Sequence, residues 1–336
     1  MTESVQHLGP GEWVEVLAAE EILHTLDMSG ADDGLPFMPE MLQYCGQRFQ
    51  VYRRADKTCD TIDNSGSLRL RNTVHLRGLR CDGSAHGGCE AGCLMFWRER
   101  WLKRVAPAQV TAQTMQQSTP TSTRHGPTLD DLERAAVVDS DERVFRCQIT
   151  QLKSFAVPLP WWDVRQYLRD VFSNDVGVWD LFSAFSFAFY RRLTEIGVGY
   201  RQFVRFYDWL QSLRGRPPFP LRSGACTKTP TGVLDLQPGE WVRVKSYAEI
   251  LATLDGNNKN RGLWFDAEMV QYCGKTYRVA KRVRRILHEK TGKMLEFSNP
   301  CIVLEDVFCR ARKTKYRLFC PRSILTYWRE IWLERV

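Results

Sequence analysis

Apolar and polar positions alternate with period two in two short stretches, Glu12-Trp13-Val14-Glu15-Val16 and Glu240-Trp241-Val242-Arg243-Val244. Each is entered through a Pro-Gly turn, and the alternation predicts a strand buried on one face. A short amphipathic helix is expected next; in the second stretch Ser246, with Glu249 three residues on, forms a capping box. A Gly-containing loop and a Tyr-Cys-Gly turn then lead into a second strand, RFQVYRR (48–54) or TYRVAKR (276–282). A hairpin turn around Asn64-Ser65-Gly66, or Thr291-Gly292, returns the chain as NTVHLRGL or CIVLEDVF. Both stretches finish with tryptophans at i and i+4, Trp97 with Trp101 and Trp328 with Trp332, the spacing of a closing helix that turns one face to the core.

The likeness of the two stretches is a repeat. PGEWVEV at 10–16 recurs as PGEWVRV at 238–244, an offset of 228, and the same offset carries Gln43-Tyr44-Cys45-Gly46 onto Gln271-Tyr272-Cys273-Gly274 and Cys81 onto Cys309. A three-residue insertion shifts the offset to 231, where Cys89 meets Cys320 and FWRERWLKRV (96–105) meets YWREIWLERV (327–336). The fold class expected is α+β: two homologous small β-barrel or roll domains, of an SH3-like kind, each closed by a C-terminal helix and flanking a mainly helical centre. The boundaries are a cysteine-rich repeat at 8–105, a flexible Thr/Gln/Ser/Pro-rich linker at 106–127, a central region at 128–236 and a second cysteine-rich repeat at 237–336. The centre offers a strand-like VFRCQITQL and helices at 163–173, 178–196 and 200–213. The middle one, WDLFSAFSFAFYRRL, is apolar nearly all round and is expected to be a buried core helix. Contact of 178–193 with a membrane surface is the lesser alternative, raised by Arg191 and Arg192 after the aromatic block.

Composition narrows the chemistry. The 336 residues carry no apolar run long enough to span a bilayer and no basic-then-apolar leader, so a cytoplasmic location is expected. In a reducing compartment the eleven cysteines are metal ligands, reactive thiols or core residues before they are disulfides. The net charge of +8 permits an anionic partner without requiring one; basic blocks at 281–285 and 310–317 keep nucleic acid open as a partner of repeat 2.

Three positions keep sulfur in both repeats: Cys45 with Cys273, Cys81 with Cys309 and Cys89 with Cys320. Cys59 in the first repeat and Cys301 in the second complete a set of four in each, if positions 59 and 73 oppose one another across the hairpin with Cβ atoms about 5 Å apart. Four thiolates suit tetrahedral zinc or an iron–sulfur cluster. The first repeat adds His86 and Cys93, so Cys81, His86, Cys89 and Cys93 form an alternative set, with Cys89 at the start of the closing helix where its thiolate is favoured. A Cys–His nucleophile pair, Cys81 or Cys89 with His86, lacks a third group to orient it.

Cys81-Asp82-Gly83-Ser84, followed after Ala85 by His86, resembles the signature of CDGSH-type iron–sulfur proteins. In that family such a segment supplies one cysteine and the histidine of a 2Fe–2S cluster, with a C-x-C pair upstream supplying the rest. Here Ala85 is inserted and no C-x-C precedes the segment. The tandem pattern GEWV…YCG…WLERV resembles an uncharacterised bacterial family, which implies no activity. The expected function is a cysteine-ligated metalloprotein holding zinc or an iron–sulfur cluster, a redox or metalloenzyme through repeat 1. A zinc-stabilised binding or scaffold protein and a nucleic-acid binder stand as alternatives.

Overall fold

The computed structural model describes residues 7–106, 126–173, 175–195, 200–215, 218–314 and 316–336. The linker expected at 106–127 therefore lies outside the described residues except for its ends. Among the described residues no helix is long and apolar enough to cross a membrane.

The architecture is mixed α+β, with several small antiparallel sheets, one of them a half-barrel, and short helices. The chain divides into two compact units: 1–175 together with 285–295, and 176–284 together with 296–336. The units thus cut the central region after residue 175, and the hairpin tip at 285–295 belongs with the first.

In the first unit a five-stranded sheet runs in the order Trp97–Arg98, Thr73–Leu76, Arg48–Arg54, Trp13–Val16, Leu102–Arg104. The period-two strand Trp13–Val16 sits second from one edge, pairing Val14 with Phe49 and Val16 with Leu102, and it buries Val14 and Val16 completely. A separate three-stranded sheet joins Lys57–Cys59 and Ser67–Arg69 to Val157–Leu159 from the centre of the chain. In the second unit a four-stranded sheet has the order Met294–Leu304, Thr276–Leu287, Trp241–Val244, Leu333–Arg335.

Local elements recur at the offsets read from the sequence. The helix Ala19–Leu23 answers to Tyr247–Leu251, and the 3₁₀ helix Pro39–Tyr44 to Ala267–Tyr272, at 228; the 3₁₀ turn Glu99–Trp101 answers to Glu330–Trp332 at 231. The capping box of Ser246 and Glu249 forms. All four closing tryptophans are fully buried. Trp101 donates its indole hydrogen to Thr25 Oγ1 and Trp332 does the same to Thr253 Oγ1, both at 2.9 Å.

Two expectations are corrected. No closing helix forms: each Trp-x-x-x-Trp segment is a single 3₁₀ turn leading into an edge strand, preceded in the first unit by the strand Trp97–Arg98. Leu102 and Leu333 pair with the first strand of each repeat, and those ladder hydrogen bonds take the backbone groups that a helix would have used. The middle helix of the centre, Val178–Glu195, is not a buried core element either. It packs against Tyr200–Ser212 through Phe187 and Tyr190, which meet Tyr207 and Phe219, while Trp179 (83% exposed), Phe182 (65%) and Phe189 (68%) face outward. A helix apolar on every side needs neighbours on every side, and this one has them on one.

Candidate metal centre

Glu40 stands in the first turn of the 3₁₀ helix Pro39–Tyr44, between Pro39 and the fully buried Met41, and is only 4% exposed. Its burial is compensated in part. Oε1 accepts the backbone N–H of Ala85 at 3.1 Å and faces Nδ1 of His86 at 2.5 Å, with Sγ of Cys81 at 3.8 Å. Oε2 is buried with no hydrogen-bond partner, and an unpaired carboxylate oxygen in the interior costs several kcal/mol unless something neutralises it.

His86 is 1% exposed. Its Nε2 lies 3.0 Å from the carbonyl oxygen of Arg146. A carbonyl only accepts, so Nε2 carries a hydrogen, and the 2.5 Å contact of Nδ1 with Glu40 Oε1 holds a proton between the two, which a bound metal ion would replace. A histidine oriented by a carbonyl on one nitrogen, with the other turned toward further donors, is the usual metal-ligand arrangement.

The loop carrying Cys81 and His86 is held at its base by Cys81 N–H to Cys93 O (2.9 Å), and inside by Gly83 O, which accepts from both His86 N–H (3.0 Å) and Gly88 N–H (2.9 Å). Gly83 is needed there: its φ is +75°, and a Cβ would stand 2.0 Å from the carbonyl oxygen of Cys89. Burial first, then the charge of Glu40 and the neighbouring Cys93, pushes the Cys81 thiol far above its ordinary range. A divalent cation inverts that situation, because it neutralises the same crowded negative charge and deprotonates the thiol outright.

The ligand atoms of Glu40, Cys81 and His86 all lie within 4.8 Å of one another, and among the described residues they are the one such group of three or more His, Cys, Asp or Glu side chains. These three can coordinate a single metal ion.

Of the cysteines singled out in the sequence, Cys81 is in this group. Cys45 closes the 3₁₀ helix of Glu40, where burial pushes its thiol up to about 11. Cys89 lies in the same loop, its Sγ accepting the N–H of Leu287 at 3.4 Å; it starts no helix, so no helix terminus favours its thiolate. Cys93 packs at the loop's base. Cys59 ends a strand opposite Ser67, while Thr73 pairs with Arg98. The opposition of positions 59 and 73 therefore does not form: the hairpin of the first repeat splits between two sheets, and the outer pair joins Val157–Leu159. Cys301, the counterpart of Thr73, is buried in Met294–Leu304 with Nη1 of Arg329 at 3.6 Å from its sulfur.

The second repeat copies the frame of the centre and changes its contents. Glu268, the counterpart of Glu40, is buried and accepts the backbone N–H of Lys313, as Glu40 accepts that of Ala85. Its Oε2 has no hydrogen-bond partner either, nor has Oγ1 of Thr314, which stands where His86 stands in the first repeat. Cys309 is beside Glu268, with Cys320 and Asp266 near enough to add to the rise of its thiol pKa that burial begins. Cys273 caps the 3₁₀ helix, its thiol pushed up to about 12 by burial.

Glu40 escaped the sequence reading, although a signal was present. PEMLQYCG recurs as AEMVQYCG, so the glutamate repeats at the same offset of 228 as the cysteine that was noticed. Arg146, which orients His86 through its backbone, left no side-chain signal to find.

No family model, no curated protein and no solved structure matches the chain.

Proposed function

We propose that the protein is a metalloprotein whose first repeat holds one zinc ion on Glu40, Cys81 and His86, and that the ion is structural. The observation that carries the reading is the convergence of buried His86 and half-buried Cys81 on the buried Glu40, a carboxylate whose second oxygen has no hydrogen-bond partner. A thiolate, an imidazole and a carboxylate together are a zinc donor set; an iron–sulfur cluster asks for thiolates at almost every position. The structural role follows from enclosure. Glu40 is 4% and His86 1% exposed, so two of the three donors are closed off from a substrate. The ion ties the 81–93 loop to the helix of Glu40, giving two homologous barrel- or roll-like repeats of which the first is metal-stapled. Nucleic-acid binding through 281–285 is the weaker reading, because Arg282 in that block is engaged by Asp235 at 2.6 Å.

Elemental analysis of the purified chain with a visible spectrum tests this. About one zinc and a colourless solution are expected, with zinc lost in His86→Asn and Glu40→Gln. Iron with acid-labile sulfide, or no metal, overturns it.

A further inference from the structure

The helix Val178–Glu195 carries a line of large apolar residues on the side away from its buried Ala184 and Phe187. Val178, Phe182, Phe185 and Phe189 follow at spacings of four, three and four, which keeps them within an arc of about 60° at 3.6 residues per turn. Alternating steps of four and three are the a and d positions of a coiled-coil seam, a narrower stripe than a helix uses to sit on a globular core. Trp179 stands beside the line and meets Phe182 edge to face, with ring centres 6.4 Å apart. Val178, Trp179, Phe182 and Phe189 are each about two-thirds exposed or more, and Phe185 is 41% exposed.

The helix is held from behind by its own unit. Phe187 and Tyr190 meet Tyr207 and Phe219, and Asp180 in the first turn pairs with Arg312 at 2.7 Å. The line is therefore presented on a supported helix, and pairing has little left to order.

The area fits a second copy of the chain. At about 150–250 Å² for an aromatic side chain, Trp179, Phe182, Phe185 and Phe189 present roughly 500 Å² of apolar surface at these exposures. A dimer interface of standard size covers about 800 Å² on each partner, roughly two-thirds of it apolar, which is the same amount.

The spacing favours a copy as well, because four, three, four reads the same from either end. A two-fold axis midway between Phe182 and Phe185 sets two such helices antiparallel. Phe182 then faces Phe185 of the other copy and Val178 faces Phe189, a smaller residue against a larger one at each end, with the helix dipoles opposed. Other occupants fit less well. The linker at 106–127 has Val110 and Met115 as its only large apolar residues. An acidic lipid or nucleic-acid surface is drawn by an excess of Lys and Arg. In this helix Asp180 and Glu195 offset Arg191 and Arg192, and Glu195 pairs with both arginines.

We propose that the helix Val178–Glu195 is a homodimer interface, pairing antiparallel with the same helix of a second copy about a two-fold axis between Phe182 and Phe185. The interface is independent of the metal reading above.

The test is sedimentation of the full chain across a range of concentrations. A dimer at micromolar concentration is expected, and it holds or tightens as salt rises, because each copy carries +8. Phe182→Glu and Phe185→Glu each weaken it by about a hundredfold, since each change enters the interface twice. Trp264→Glu, at an exposed tryptophan of the same unit, leaves it unchanged. Mixing the Phe182→Glu chain with a Phe185→Lys chain restores a dimer, since only the antiparallel register sets position 182 opposite 185. A monomeric unsubstituted chain overturns the proposal whether or not the variants fold; if that monomer floats with vesicles of acidic phospholipid, a lipid surface takes the place of the second copy. A dimer that both glutamate variants leave intact overturns it in favour of another face. A dimer that they break and the mixture does not restore overturns the antiparallel register.

Discussion

Replacing Glu99 by Ala removes the buried acid that ties the chain's start to its first sheet. Oε1 of Glu99 accepts from Nη1 of Arg54 at 2.6 Å and from the backbone N–H of Leu8 at 2.9 Å, and Glu99, Arg54 and Leu8 are all buried. The substitution leaves the Leu8 amide without its partner, which costs about 1–3 kcal/mol. It also breaks a buried ion pair, for which about 3–5 kcal/mol is usual. Arg54 keeps a two-point grip on the partly exposed Asp56, at 2.6 and 3.0 Å, and a bond to Leu8 O at 2.7 Å. That remaining support places the total near the lower end, about 4 kcal/mol, a factor of roughly 1,000 in the opening equilibrium. Because the chain divides into two units, a single denaturation midpoint is a poor measure. Hydrogen exchange of the strands Trp13–Val16 and Arg48–Arg54 reads the first unit directly.

The second repeat supplies the comparison. Glu330 is held by three backbone N–H groups, of Leu234 (2.8 Å), Asp235 (3.2 Å) and Leu236 (3.0 Å), while Arg282 stands 3.8 Å away. Arg282→Met should therefore cost only about 1 kcal/mol at the strand Trp241–Val244, because the ion pair it breaks at 2.6 Å is to the exposed Asp235, and solvent-exposed pairs contribute about 0–1 kcal/mol. Acceleration of exchange by less than tenfold in Glu99→Ala, or no more than Arg282→Met produces in its own unit, would refute the assignment of the first pair as the stronger clamp.

Two further outcomes are expected. Burial pushes the Asp170 carboxyl up to about 6, against the opposing pull of its partner Lys57 and with a further push from Asp175 and Asp56. The folded state then holds a proton between about pH 4 and 6 that the unfolded chain has released, so this group's contribution falls as pH rises through that window, by about 3 kcal/mol in all. Subtracting the pH–stability profile of Lys57→Met/Asp170→Leu from that of the unmodified chain should expose that slope; equal profiles would exclude it. Gly83→Ala, which meets Cys89 O at 2.0 Å with φ at +75°, should abolish exchange protection of the 81–93 loop and lower the zinc content. Gly46→Ala has a similar φ, +74°, but open space around it; it should cost about 1 kcal/mol and leave both readouts unchanged.

Much of the local structure was legible in the chain. Period-two alternation marked Trp13–Val16 and Trp241–Val244, and the recurrence at 228 and 231 marked the elements that return in the second unit. These are short-range features, set by side-chain spacing and turn chemistry that a single segment carries within itself. The burial of Trp97, Trp101, Trp328 and Trp332 was legible too, because large apolar side chains repeated in register have a core to fill.

The closing segments were misread as helices because i, i+4 tryptophans satisfy a helical face as well as a strand–turn–strand, and strand partners far along the chain decided between them. The helix Val178–Glu195 was misread as buried because its own sequence cannot say how many neighbours it will have. The site divides in the same way. The sequence singled out Cys81 and His86, five residues apart in one loop. Only the tertiary structure set Glu40 against them, 41 residues before Cys81, and brought the carbonyl of Arg146 from 60 residues beyond His86. Which donors converge is settled by how distant segments pack, and a buried carboxylate reveals its unpaired oxygen only after that packing is complete.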